Sequence, residues 1–370
     1  MRVLIDYRPA LRQRTGVGEY AHQLAAALVS RLSPDDSLVL FSSSWKDRLR
    51  PSPIPGTEVV DARIPVRVLN RLWHRWEWPP VEALAGAHDV VHSMHPLLMP
   101  ARGAAQVITI HDLYFLDHPE DTDAEIRRDY APLAGAHARR ADAIVAVSDY
   151  TAGQVRRRFG IEPERLVVCP SGAPDWQPRG KRPSRGPILF VGTLEPRKNV
   201  GVLLEAYGRL IARFPGAPDL VLAGGATRHA SELLASIDRV PLAGRARHIG
   251  YVSGDQRQQL YRDAALLVMP SRDEGFGIPA LEAMTIGVPV IAANRGALPE
   301  VVGDAGLLVD AADPEAITAA MHRLITEPGL AEECSRRGVR QSNRFRWDAS
   351  AGRLLEAYRT AIERRHARRA

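Results

Sequence analysis

The chain has 370 residues, 45% of them hydrophobic and 25% charged, with a formal net charge of +6. That length suggests two domains, and the balance excludes disorder, a collagen-like repeat and a disulfide scaffold as descriptions of the whole. Residues 1–180 carry 22 basic and 22 acidic side chains, so the positive surplus lies entirely in the remainder; so modest a charge, with no recognition motif, argues against nucleic acid as a partner.

The opening Met1-Arg2-Val3-Leu4-Ile5-Asp6 meets an acid after three apolar residues, too few for a signal-peptide core. No run approaches the ~20 apolar residues of a spanning helix. Cys169 and Cys334 read as free thiols, and the chain as cytoplasmic.

Seven short apolar runs follow in chain order: Val3–Tyr7, Leu38–Phe41, Glu58–Asp61, Asp89–His92, Gln106–Ile110, Ala143–Val147 and Leu166–Cys169. Helical periods lie between several of them, as over Glu19–Leu32. A Pro- and Gly-rich stretch then interrupts, and a second series begins: Ile188–Val191, Asp219–Ala223, His248–Val252, Ala264–Met269, Val288–Ala292 and Gly306–Val309. A final helix is predicted over about 349–365. Continuous apolar runs alternating with helices predict parallel sheets covered on both faces. The expected architecture is α/β: two doubly wound Rossmann-like domains facing across a cleft. The first spans residues 1–172 and the second 188–347, joined by a linker at 173–187, with the helix at 348–370 crossing back to the first.

In such sheets ligands bind at the carboxyl ends of strands, so the residues ending each run are the candidates. After the first strand comes Arg14-Thr15-Gly16-Val17-Gly18, where Gly16 and Gly18 would let a ligand approach a helix N-terminus; a plain flexible loop is the competing reading. The spacing touches a dinucleotide fingerprint, but about nine residues part it from the strand and no acid ends the second strand. The fifth run ends in His111-Asp112, either a functional pair or a structural histidine. His92, His95 and Ser148 are weaker strand-end candidates.

The second domain opens with Gly192-Thr193-Leu194-Glu195-Pro196-Arg197-Lys198-Asn199, two cations between a strand and a helix, either a place suited to a diphosphate or a solvated basic turn. Its fourth strand leads to Glu274-Gly275-Phe276-Gly277-Ile278-Pro279, with Glu282 inside the next helix. The glycines keep backbone bare for a ligand, and carboxylates accept from paired sugar or ribose hydroxyls.

These motifs, with Gly296-Ala297-Leu298-Pro299-Glu300-Val301, resemble the retaining glycosyltransferases of family GT4, which have the GT-B fold. The resemblance runs from Gly16 to Trp347. It implies a nucleoside-diphosphate sugar on the second domain. Arg197 and Lys198 would hold the diphosphate, and Glu282 the ribose. Glu274 and Gly275–Gly277 would hold the sugar, with Ile278 beginning the helix beneath it. Gly192 would border the site, Leu298 would pack near the diphosphate, and the strand end at Ile249 and Tyr251 would face the base. The Gly16–Gly18 loop and His111 would close from the first domain, where His92, His95, Asp112 and Ser148 are acceptor-side candidates. Arg197, Lys198, Glu274 and His111 would carry the catalysis.

Transfer to an acceptor hydroxyl would retain the anomeric configuration. No second acid stands beside Glu274 to build the ~5–5.5 Å carboxyl pair of a retaining glycosidase, so front-face displacement is expected, with the leaving diphosphate taking the acceptor proton. No metal and no resident cofactor are expected. The motifs resemble users of GDP-mannose in polysaccharide, lipopolysaccharide or glycolipid assembly; UDP-sugars are the alternative donors. An epimerase or hydrolase of the same fold, an NAD(P)-dependent oxidoreductase and a non-catalytic accessory subunit are the rival readings.

Arg63, Arg67, Arg71 and Arg75 recur every four residues, with Val66, Leu69, Leu72, Trp73 and Trp76 between them. On a helix this is a basic stripe beside an apolar face, either an anionic membrane contact or packing within the first domain. The membrane reading would suit a lipid-linked acceptor and peripheral attachment to the inner face of the cell membrane.

Overall fold

The computed structural model describes every residue except Arg12, Gln13, Thr15, Ser184, Arg185 and Ala370. Thr15 of the glycine loop and Ser184–Arg185 of the expected linker therefore lie outside the described residues. The chain divides into two compact units, Met1–Gly172 with Arg346–Ala370, and Ala173–Phe345. All thirteen apolar runs meet a strand. They are β1 (Arg2–Asp6), β2 (Ser37–Ser43), β3 (Glu58–Ala62), β4 (Val90–Ser93), β5 (Ala105–Ile110), β6 (Ala143–Ala146), β7 (Leu166–Val168), β8 (Ile188–Val191), β9 (Leu220–Ala223), β10 (Ala246–His248), β11 (Leu266–Met269), β12 (Val290–Ala293) and β13 (Leu307–Val309).

Each unit is one parallel sheet, ordered β3-β2-β1-β4-β5-β6-β7 in the first and β10-β9-β8-β11-β12-β13 in the second. The central strands are fully buried, β5 and β8 along their whole length, which is why they read as unbroken apolar runs rather than alternating ones. Strand order reverses between β1 and β4, and again between β8 and β11. At such switch points the flanking loops splay apart and leave room for a ligand.

Several expectations need correction. The run His248–Val252 is mostly loop: β10 ends at His248, the Ile249 amide still bonds the Leu222 carbonyl and the Gly250 carbonyl accepts from the Gly224 amide, and Gly250 at φ 72° turns the chain away. The first helix begins at Gly16, not Glu19, so both glycines sit in its opening turn. A Cβ on Gly18 would lie 2.5 Å from the Pro9 carbonyl oxygen, so close packing on the loop after β1 already demands glycine there. The stretch expected as a linker packs on the second unit. The Arg179 amide bonds the Ile286 carbonyl, its guanidinium reaches the Ala264 carbonyl at 2.5 Å, and Trp176 lies against Tyr261. The last helix runs from Trp347 to Ala367 and packs on the first unit, where Arg31 holds Asp348 and Ser350 bonds the Pro170 carbonyl.

On the helix Val66–Trp76 the packing alternative holds for part of the apolar face. Leu69 and Trp73, counted among the membrane-facing apolar residues, are buried in the first unit's core beside Leu4, Val39 and Phe41. The Trp73 indole donates to the Pro79 carbonyl, and the Arg8 guanidinium lies 4.9 Å over its ring. Among the described residues no helix is long and apolar enough to cross a membrane. Cys169 and Cys334 are free and buried.

Burial depresses several histidines of the first unit, three of them furthest: His92 to about 3, His111 to about 4 and His137 to about 4. All three are neutral in the fold at pH 7. The unfolded chain takes up their protons near pH 6.5, while the native state does not until about pH 4 for His111 and His137 and about pH 3 for His92. Their contribution is intact above pH 6.5 and is lost as pH falls toward 4. The expected loss at pH 5 is on the order of 2 kcal/mol per histidine. Calorimetry at pH 7 and 5 should show the first unit's melting temperature falling; an unchanged value would mean the rings are hydrated.

Candidate active site

The loops at the β8–β11 switch point gather most of the predicted residues. Beyond β8 the chain makes a tight turn over Pro196–Lys198, and Asn199, in the left-handed region at φ 55°, starts the helix Val200–Arg213. The Asn199 side-chain Nδ2 donates to the carbonyls of Pro270 and Ala311, at 3.1 and 2.7 Å, tying the ends of β8, β11 and β13 together. The Arg272 amide bonds the Arg197 carbonyl, so the two loops share backbone as well.

This stitching sets two cations on one carboxylate. Lys198 Nζ lies 2.6 Å from Glu274 Oε1, and Arg197 Nη1 lies 3.1 Å from Oε2. Ser271 donates to Oε1 at 2.8 Å, and Arg197 also holds Glu195 at 2.7 Å. The side chains of Arg197 and Lys198 are only 17% and 12% exposed, so neither points into bulk water. Burial by itself would raise the Glu274 pKa, yet Lys198 and Arg197 beside it hold the carboxyl down to about 2. It is ionised at every working pH.

The backbone around Glu274 is equally constrained. Gly277 has φ 107°, and a Cβ there would meet Leu298 Cδ2 at 2.7 Å. Gly296 has φ 62°, and its Cβ would fall 2.7 Å from both the nitrogen and the oxygen of Glu274. Only glycine satisfies both the dihedral and the contact. Leu298 is fully buried and fills the space over Gly277. Phe276 packs edge-on against Phe345 at 5.5 Å. Ile278 opens the helix Ile278–Ile286, which carries Glu282. The Glu282 carboxylate accepts from the Tyr261 hydroxyl at 3.0 Å and pairs with Arg257 at 2.9 Å. Ile249 and Tyr251, past the end of β10, are 39% and 45% exposed.

A profile of Glycosyltransferase Family 4 matches residues 14–177, and one of the Glycosyl transferases group 1 matches residues 185–327. The D-inositol 3-phosphate glycosyltransferase of Acidothermus cellulolyticus is 31% identical over 309 residues, 76% of this chain and 69% of that protein. This chain belongs to glycosyltransferase family 4. The O-antigen chain mannosyltransferase B of Escherichia coli is 29% identical to this glycosyltransferase over 391 residues, spanning 97% of it and 100% of the relative. The crystal structure of Anabaena Alr3699/HepE in complex with UDP and glucose shares the fold, with a TM-score of 0.72 and 20% identity over 96% of this chain and 98% of that one. The two parallel-sheet units are the GT-B architecture.

On the first unit of this glycosyltransferase the predicted residues fare unevenly. The His111 Nε2 faces the Met94 carbonyl at 3.2 Å. A carbonyl only accepts, so Nε2 carries the proton and Nδ1 keeps a lone pair. The ring stands edge-on to Tyr20 at 5.1 Å. Both nitrogens of His92 are taken, by Tyr358 at 2.7 Å and Thr109 at 2.8 Å, and the side chain is fully buried under the C-terminal helix. His92 therefore cannot meet an acceptor. Ser148 is the N-cap of the helix Asp149–Phe159, bonding the Thr151 amide at 3.0 Å, and Asp112 accepts from the Tyr114 amide at 3.2 Å. His95 remains at the β1–β4 switch point, 3.4 Å from Asp6, in a network where Arg8 grips Asp6 and Asn70.

Sequence reasoning did not find Ser271, Arg257 or Tyr261. Ser271 lies between the end of β11 and the motif, three residues before Glu274, where nothing in the sequence marks a serine as its partner. Arg257 and Tyr261 are four apart on the helix Gly254–Asp263, a spacing that puts both on one face, but nothing in the sequence says that this face meets Glu282.

Proposed function

We propose that this glycosyltransferase moves mannose from GDP-mannose to an acceptor hydroxyl in the assembly of a cell-surface polysaccharide or glycolipid, retaining the anomeric configuration. The observation that carries the reading is the buried cluster of Arg197, Lys198 and Glu274 at the switch point, a constellation fitted to an anionic leaving group bearing a polyol. The full-length likeness to an O-antigen mannosyltransferase supports mannose.

In this reading Arg197 and Lys198 neutralise the diphosphate in place of a divalent cation, and Glu282, fixed by Arg257 and Tyr261, accepts from the ribose hydroxyls. Glu274 and the bare backbone at Gly275–Gly277 face the sugar, Gly192 borders the phosphates, and Ile249 and Tyr251 lie toward the base. The anomeric carbon–phosphate oxygen bond breaks as the acceptor oxygen attacks the same face, and the acceptor proton passes to the departing diphosphate. Charge growing on that diphosphate is stabilised by cations already in position, so little reorganisation accompanies the step. On the first unit, neutral His111 offers Nδ1 to a hydroxyl.

A UDP-sugar is the second reading, favoured by the relatives that act as D-inositol 3-phosphate glycosyltransferases and by the UDP in the HepE structure. Thermal unfolding with GDP, UDP, GDP-mannose and UDP-glucose distinguishes them. A ligand at a hundred times its Kd adds about 2.7 kcal/mol of stability. GDP and GDP-mannose are expected to raise the melting temperature most, with chelator present; preferential stabilisation by UDP would transfer the assignment to UDP-sugars. Nuclear magnetic resonance of the product then reads the anomeric configuration.

A further inference from the structure

The helix Val66–Trp76 has a second face that the fold leaves uncovered. Arg63, Arg67, Arg71 and Arg75 are exposed, and no acid occurs between Arg63 and Trp76. Among the described residues none of the four makes an ion pair or hydrogen bond. Beside this row lie Val68 at 49%, Trp76 at 59% and Trp78 at 59% exposure. Trp45, 71% exposed, stands two residues past Ser43, whose hydroxyl bonds the Ile64 carbonyl at the start of the helix. Tryptophans thus bracket the arginine row at both ends. The nearest acids are occupied: Glu77 by Arg140, and Asp61 by Arg48.

We propose that this face docks on a bilayer surface containing anionic lipid. Exposed tryptophan is unusual on a soluble surface, but its amphipathic ring suits the headgroup level, and unpaired arginines suit lipid phosphates. A second copy of the chain fits poorly: a two-fold contact sets a patch against itself, here four arginines against four. The helix's buried face reaches the acceptor-side end of the first sheet. Asn70 accepts from Arg8, beside Asp6 at the end of β1, and His74 bonds Asp129. A lipid-linked acceptor held at the docked surface would therefore lie at the edge of the β1–β4 switch point. The docking itself does not rest on the donor assignment.

Flotation of the full chain with vesicles of phosphatidylcholine and phosphatidylglycerol at 7:3, or of phosphatidylcholine alone, tests this. The protein is expected to float with the anionic vesicles only, with a blue shift in tryptophan emission. Arg67→Gln/Arg71→Gln/Arg75→Gln should lower partitioning roughly 100-fold, from the additive attraction of each arginine near the surface. Trp76→Ala/Trp78→Ala should shrink the blue shift to the part that Trp45 gives and leave weaker, salt-labile binding. Both variants should keep the wild-type melting temperature and GDP affinity. Absence of flotation, wild-type partitioning by both variants, or a dimer that Trp76→Ala/Trp78→Ala splits without any vesicle binding would overturn the proposal. Loss of GDP binding by the wild type would instead count against the donor reading and leave this one standing.

Discussion

Replacing Arg197 and Lys198 together with alanine is expected to weaken nucleoside-diphosphate binding by roughly 10²–10⁴-fold. Hydrogen bonds to charged groups are worth about 1.5–3 kcal/mol each, and every 1.4 kcal/mol is about tenfold in affinity. The substitution also strands Glu274, which is 5% exposed and relies on these two cations to stay ionised near its value of about 2. Its pKa should climb, and part of the fold's stability should go with it. Calorimetric titration with GDP is therefore paired with a melting curve, and Lys198→Met alone serves as the milder variant. Unchanged GDP affinity in a folded double variant would remove the diphosphate from this position.

Glu274→Gln is expected to act in the opposite way on binding. The amide keeps the shape and one hydrogen-bond acceptor but loses the negative charge that Arg197 and Lys198 now share with any incoming diphosphate. GDP should bind as well as before or more tightly. Sugar transfer should fall by roughly 10²–10³-fold, the scale of losing one preorganised group aimed at the reacting centre. Because the carboxyl is held near 2, no accessible pH mimics the mutation; an acid limb in the rate profile near pH 4 would belong to His111. Parallel losses in GDP binding and transfer would make Glu274 a scaffold for the cations and nothing more.

The cluster explains why so much of the candidate site was legible. Arg197, Lys198, Glu274 and Glu282 sit at strand ends or in the first turns after them, and their spacing marks them before any contact is known. What the sequence could not convey was each residue's pairing. His92 and Ser148 occupy the same kind of position as His111. His92 is sealed beneath Tyr358, from a helix 266 residues further along, and Ser148 spends its hydroxyl on a helix cap. Likewise Arg257 and Tyr261 matter only because their helix meets the one bearing Glu282.

The sequence by itself determined two parallel sheets and, among the described residues, the place of all their strands but β10, because strands buried on both faces must be apolar throughout, and it marked the candidate residues at their ends, because the chain order of strand, loop and helix is local. Tertiary structure decided everything that depended on which face meets which. The helix Val66–Trp76 is the clearest case: its periodicity revealed arginines beside apolar residues, yet packing against β1 and β2 chose Leu69 and Trp73 for the core and left Val68 and Trp76 in water. Periodicity assigns residues to faces. Only the partner surface fixes which face is buried.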